Sequence, residues 1–319
     1  MIRILLLAAA VLQSGLAQAQ TWPEKPIRVV VPFPAGSSAD VVARILGNEL
    51  SARLGQQLVV DNRPGASGNI GSDVVAKAAP DGYTLGFGTT STHAVAVSLS
   101  EKLPYDPIKS FAPVALVSVS PYVLVVSPTS PAKSLAELVA LAKAKPGEIT
   151  YGSAGLASLA HLASALFENL AGVKLNHIPY KSSAQSVIDL ISGRLDMQFA
   201  TIPPTITNIN AGQVRALATT GTQRVAALPD LPTMIEAGVP NYEASLWIAM
   251  VAPAGTPAEI VTRLNREVNE VLKLPQVKSA MAAQALDIEP GSPEALAGRI
   301  RGDIEKWRKV IAQGNIKAE

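Results

Sequence analysis

The sequence predicts an α/β protein of two domains, each built on a mainly parallel sheet, and three observations predict it. Short valine-rich runs of strand type alternate with helical runs along most of the chain, the pattern of parallel strands joined by crossover helices. The 319 residues, 48% hydrophobic and 16% charged, supply enough apolar material for two cores of ordinary size. A second strand–helix series starts near residue 122 and closes near 243. The expected division is therefore a first domain of 20–121 plus 244–319 and a second domain of 122–243.

Residues 1–19 stand apart. Arg3, the apolar run 4–12 and Ala17-Gln18-Ala19 make a secretory signal peptide, because a membrane span needs about twenty apolar residues. Cleavage after Ala19 takes Arg3 from the 27 basic residues and leaves 26 against 25 acidic ones. So neutral a protein offers no field to nucleic acid or to an acidic membrane, and a small molecule is the expected partner. With no cysteine, disulfides, thiolate catalysis, thiolate metal sites and a lipid-bearing cysteine are excluded, which leaves a free soluble protein of the export compartment.

The first domain opens on residues 28–40. Val29-Val30-Val31 stops at Pro32 and Pro34, turns through Ala35-Gly36-Ser37-Ser38 and enters the helical run 41–46. N–H groups at a helix start lack internal partners and sit at the positive end of the dipole, so Gly36, Ser37 and Ser38 suit an anion. In the plainer reading Ser38 or Asp40 simply caps the helix. Strand 57–62, loop 63–69, helix 70–79 and strand 83–88, ending in Thr89 to His93, follow.

Apolar runs 114–117 and 122–126 lead into Ser134-Leu135-Ala136-Glu137, a capping box. Strand 149–153, helix 158–171, strand 173–179, helix 183–192 and strands 196–200 and 214–219 complete the second series. Strand 246–251 returns the chain, and Thr256-Pro257-Ala258-Glu259 reads as a second capping box opening a helix to about Leu274. A last helix after Ser292-Pro293 sets Leu296, Ile300, Ile304, Trp307 and Ile311 in one apolar stripe, with the first domain as expected host. Hinges are expected near Ser120-Pro121 and Asn241-Tyr242-Glu243, where the two series meet.

The histidines His93, His161 and His177 lack metal-ligand spacing, and neither a nucleophile elbow nor a phosphate-binding loop with its lysine is present. No metal, no cofactor and no catalytic residue is predicted. What recurs is a strand running into a Gly/Ser/Thr-rich turn, at 35–38, 88–92 and 152–158. Such turns lie at the carboxyl edges of parallel strands, and sets from two domains facing across a cleft suit a small carboxylate held by N–H and hydroxyl groups. Asp40 reads as a complement to the helix dipole, and His161 as a structural residue.

The segments Val31-Pro32-Phe33-Pro34-Ala35-Gly36, Val60 through Gly71 with Asn62-Arg63-Pro64-Gly65, Ala79-Pro80-Asp81-Gly82-Tyr83-Thr84-Leu85, Pro179-Tyr180-Lys181 and Leu228-Pro229-Asp230-Leu231-Pro232-Thr233 resemble the Bug/TctC family, the extracytoplasmic receptors of tripartite tricarboxylate transporters. The resemblance spans nearly the whole mature chain. It implies a periplasmic, monomeric binding protein of the type II Venus-flytrap fold that passes a small organic anion to membrane permease subunits. The implied ligand residues are Phe33, Ala35, Gly36, Ser37 and Ser38 of the first turn, Thr89 and Thr90 of another, and Ser153, Ala154, Gly155 and Ser158 in the second domain. Thr201 stands where some members carry an aspartate, which leans toward a plain carboxylate. Ser37 follows Gly36 where the family commonly has a second glycine. Two other readings are a secreted hydrolase using Ser153 or Ser91 with His161 or His93, and a ligand-responsive partner of a membrane sensor.

Overall fold

A computed structural model describes residues 22–100, 102–180, 183–284 and 286–317, without the side chains of residues 184 and 203. The expected signal peptide lies outside the described residues. In chain order the elements are β1 (Ile27–Val31), α1 (Ser38–Leu54), β2 (Leu58–Asn62), α2 (Asn69–Ala76), β3 (Thr84–Thr89), a π-helical turn (Ser91–Val95) running into α3 (Ala96–Leu99), and β4 (Phe111–Val126). Then come α4 (Leu135–Ala144), β5 (Thr150–Ser153), α5 (Leu159–Ala171), β6 (Asn176–Pro179), α6 (Ser183–Ile191), β7 (Met197–Thr201), α7 (Ile202–Asn210) and β8 (Arg215–Thr219). The chain ends with β9 (Ser245–Pro253), α8 (Ala258–Lys273), α9 (Pro275–Ala283), β10 (Asp287–Ile288) and α10 (Pro293–Gln313).

The two apolar runs read as separate strands are one strand, β4, sixteen residues long. Its first part pairs antiparallel with β9 as far as Pro121 opposite Ser245, and its second part pairs with β7 from Tyr122 opposite Thr201 and with β8. Proline has no N–H for the ladder, so Pro121 stands where one set of partners ends and the other begins. The sheet is mixed rather than mainly parallel. Strands β2-β1-β3 and β6-β5-β7 are parallel, as the strand–helix alternation requires, while β3, β4, β7 and β8 meet their central neighbours antiparallel.

This pairing fixes which edges face each other. β3 ends with Thr89 opposite Ile248, which is itself opposite Ser118 of β4. β7 runs the other way and ends with Thr201 opposite Tyr122. The carboxyl ends of β1–β3 and of β5–β7 therefore converge from opposite directions on residues 118–122, and the turns that follow those strands are brought together there.

The two larger of four buried apolar clusters among the described residues decide how the helices pack. One lies under α1, α8 and α9, with Val29, Leu46, Leu50, Leu264 and Met281 buried. The other is shared by both halves, with Leu296, Ile300, Ile304, Trp307 and Ile311 of α10 beside Phe167, Phe199, Tyr242 and Trp247. The predicted stripe of α10 is thus fully buried, but its host is wider than expected. α10 packs on β4 and the π-helical turn and also on α5, and Asn169 of α5 donates to Gln313 across 3.0 Å. Helices α7 and α9 were not anticipated, each opening with proline in its first turn. The capping box expected at 256–259 does not form: α8 begins after Pro257 without a side-chain cap, and the Thr256 hydroxyl donates to Pro253 O instead.

Candidate functional site

Loop β1–α1 is held by its own helix. Ser37, not Ser38 or Asp40, is the N-cap, its Oγ accepting from Asp40 N at 3.3 Å. Asp40, only 2% exposed, turns back so that its Oδ2 accepts from Gly36 N at 2.9 Å. The same carboxylate takes Arg44 Nε at 3.0 Å, and its Oδ1 takes Asn62 Nδ2, which also donates to Phe33 O. Burial pushes this carboxyl up, but the Arg44, Gly36 and Asn62 hydrogen bonds outweigh it and hold the group below its ordinary value. Gly36 takes a φ of +81°, which glycine tolerates without strain, and a side chain there would project into open space.

Loop β5–α5 repeats the arrangement with different chemistry. Ser158 is the N-cap, its Oγ accepting from His161 N at 3.3 Å, and the His161 Nδ1 accepts from Ala157 N at 3.0 Å. The predicted box at α4 has this same form, since Ser134 accepts from Glu137 N and Glu137 from Lys133 N. In all three, the side chain three residues after the cap captures the N–H one residue before it, a variant of the capping box. The sequence signals for these two are Ser37-Ser38-Ala39-Asp40 and Ser158-Leu159-Ala160-His161, a serine followed three residues later by a side-chain acceptor.

These caps shift the free donors. The N–H groups of Gly36 and Ser37 are engaged by Asp40 and Pro34 O, and that of Gly155 by Ser153 Oγ. Among the described residues, the N–H groups of Ser38 and Ala39 on α1, and of Leu159 and Ala160 on α5, have no partner. The free helix-start donors thus lie at Ser38, still within the expected 35–38, and Ala39, and at 159–160, four or more residues beyond the expected 153–155.

The other predicted residues divide clearly. Ser38 and Ala35 are exposed, as is Ala154, and Thr201 is half-buried at the end of β7. Gly36, Ser38 and Thr201 line a cavity of about 280 Å³ with Ser120, Pro121 and Leu246, at the point where the two sets of edges meet. Phe33 is half-buried against the core under α1 and stands beside Gly68 and Thr92. Thr89 and Thr90 are buried: the Thr90 Oγ1 donates to Ser245 O and accepts from Trp247 N, tying β3 to β9, and Thr89 pairs with Thr92. A larger recess of about 650 Å³ lies elsewhere, at β8 and 227–231, and touches neither loop.

Ser153 is fully buried behind its loop. Its Oγ lies 2.7 Å from His177 Nε2 and 2.9 Å from Gly155 O, while Gly155 N donates to it. His177 stacks between Tyr151, its neighbour across the strands, at 4.8 Å and His161 at 4.0 Å. Burial lowers the His161 imidazole, and burial with the nearby His161 lowers that of His177 to about 4. Both rings are neutral near pH 7. His93 is sealed among Tyr105, Phe111 and Trp247 with its Nδ1 on Thr92, so it forms no pair with Ser91. Among the described residues no His, Cys, Asp and Glu group is placed to hold a metal, and no helix is long and apolar enough to cross a membrane.

Residues 42–316 match the family model described as "Tripartite tricarboxylate transporter family receptor", TctC. This chain belongs to that family. The TctC-family chain is 41% identical over 300 residues to Protein BugT of Bordetella pertussis, covering 94% of this chain and 92% of that one. Its structure resembles R. palustris Rpa4515 with adipate, at 37% identity and a TM-score of 0.77, covering 93% of this chain and 99% of that one. It also resembles MatC of Rhodopseudomonas palustris with bound malate, at 31% identity and a TM-score of 0.73, covering 91% and 100%. The TctC fold seen here is that of the two-domain solute-binding proteins.

Proposed function

We propose that this TctC-family chain is a periplasmic solute receptor, exported through residues 1–19. In this reading it binds a small organic carboxylate between the β1–α1 and β5–α5 loops and delivers it, as a monomer, to the membrane subunits of a tripartite transporter. The observation that carries this reading is the convergence of the two sets of strand carboxyl ends on residues 118–122, with a serine-capped helix start offered from each side. Ser38 lines the cavity there from α1, while no residue of α5 does; in this reading the free N–H groups of Ser38 and Ala39, and those of Leu159 and Ala160, are turned to the ligand once the cleft closes. With Gly36, Ser37, Ser158 and Thr201 they form the proposed shell. Neutral donors at two helix starts favour a carboxylate without any direct salt bridge, and adipate and malate in the two structural neighbours are the chemistry such a site would take. The proposed domains are 20–121 plus 244–319 and 122–243, closing about the Pro121 and 241–243 crossings.

The Ser153–His177 contact is the feature a hydrolase reading would use. It is unsuited to nucleophilic chemistry, because Ser153 is buried behind its loop, His177 is a weak base at about 4, and no hydrogen bond orients its other ring nitrogen among the described residues. Incubation of the purified protein with adipate, malate and other carboxylates decides between the readings. A receptor returns the ligand unchanged and is stabilised by about 2.7 kcal/mol at a hundred times Kd, which raises its melting temperature. Product formation would overturn it.

A further inference from the structure

The histidine at the start of α5 is more than a cap. At α1 and α4 the equivalent position carries a carboxylate, Asp40 and Glu137, so capturing the preceding N–H does not require an imidazole. At α5 the accepting atom is His161 Nδ1, and because Ala157 N donates to it, the neutral ring carries its proton on Nε2. That Nε2–H has no partner among the described residues, although the side chain is only 8% exposed. It is not sealed off, unlike the His93 Nε2, which is buried without a partner. The ring reaches back to Ala157, ahead of the helix start at which the N–H groups of Leu159 and Ala160 are also free, and stacking on His177, itself stacked on Tyr151, fixes its plane.

From this geometry we propose that His161 is a direct donor in the ligand site: its neutral Nε2–H joins the N–H groups of Leu159 and Ala160 in binding a carboxylate at the start of α5. The inference rests on the reading of the cleft given above. A carboxylate at position 161 would cap the loop equally well and repel the ligand. At α1 the corresponding charge of Asp40 is paired with Arg44. The imidazole fixes the loop through one nitrogen and offers a donor through the other, with no net charge.

Two substitutions separate the two nitrogens. His161→Asn places a carbonyl oxygen near the Nδ1 position, so Ala157 stays captured while the Nε2 donor is lost. His161→Gln reaches the Nε2 position with an amide donor and gives up the Nδ1 acceptor. Calorimetry with adipate and malate should show affinity for whichever binds wild-type protein falling about ten- to 150-fold in His161→Asn, with the melting temperature of the free protein nearly kept. His161→Gln should lose melting temperature and keep more of the affinity. In protein carrying ¹⁵N-labelled histidine, the His161 ring should show the Nε2–H tautomer, and its Nε2 resonance should move on saturation. Wild-type affinity in His161→Asn, or an Nε2 resonance unmoved at saturation, would overturn the donor role and leave the cleft reading standing. Wild-type protein that binds no carboxylate would overturn both.

Discussion

Three neutral histidines give the protein an acid-sensitive core. Burial lowers His93 to about 3, and burial with the His161 ring lowers His177 to about 4, against an unfolded value of 6.5. The folded-state values lie below the unfolded one, so the unfolded chain binds more protons and stability falls as pH drops through 6.5 toward those values. Each ring costs up to about 1.4 kcal/mol per pH unit in that window. Urea unfolding between about pH 7.5 and 5 should show this loss, and His177→Gln should make it shallower. A stability independent of pH across the window would contradict the burial argument. Asp40 acts in the same sense at lower pH: its carboxyl is held below its ordinary value, so its contribution is present above that value and is lost as pH falls through the folded one. At this scale the sequence was legible where composition decides, as for the buried stripe of α10. It was not legible for Asp40 and His161, because which N–H a side chain captures depends on how the preceding turn folds back.

Among the elements, β4 and the crossing at 243–245 set how the two halves are joined. Glu243 accepts from Arg299 at 2.9 Å and from Lys306 at 2.5 Å, both on α10, and those cations also meet Asp303, whose Oδ2 accepts from Trp247 Nε1 at 2.7 Å. The network ties the returning chain to α10 in a partly buried setting. Glu243→Ala removes one carboxylate from two cations that keep Asp303 and, for Lys306, the carbonyl of residue 243, and should cost about 1–3 kcal/mol by chemical denaturation. A change below about 0.5 kcal/mol would mean the charges are solvent-screened. Apart from β10, the strands and most helices follow within a few residues from alternation and periodicity. The continuity of β4 does not, because Ser120-Pro121 reads as a break in one dimension and becomes a change of partner only once β7 and β9 are in place.

On the scale of the whole molecule, facing strand ends, two serine-capped helix starts and a shared core under α10 support the proposed receptor with a neutral cleft. The sequence reads as two series of strands and helices, and the sheet contains two parallel groups, β2-β1-β3 and β6-β5-β7. The double docking of α10 was not legible in the sequence, because a buried stripe states that a helix packs but not on what. Since α10 touches both β4 and α5, the proposed closure would have to slide that contact as well as bend the two crossings. The central claim is that neutral donors at the loop and helix starts, not a basic side chain, hold the carboxylate. Calorimetry of wild-type, Gly36→Val and Arg44→Ala proteins with the tightest-binding carboxylate tests it. A valine at 36 projects from a +81° φ into open space beside the free donors of α1, and should lower affinity at least about tenfold. Arg44, engaged by Asp40, should matter less than about threefold. Affinity abolished by Arg44→Ala and kept by Gly36→Val would contradict the account.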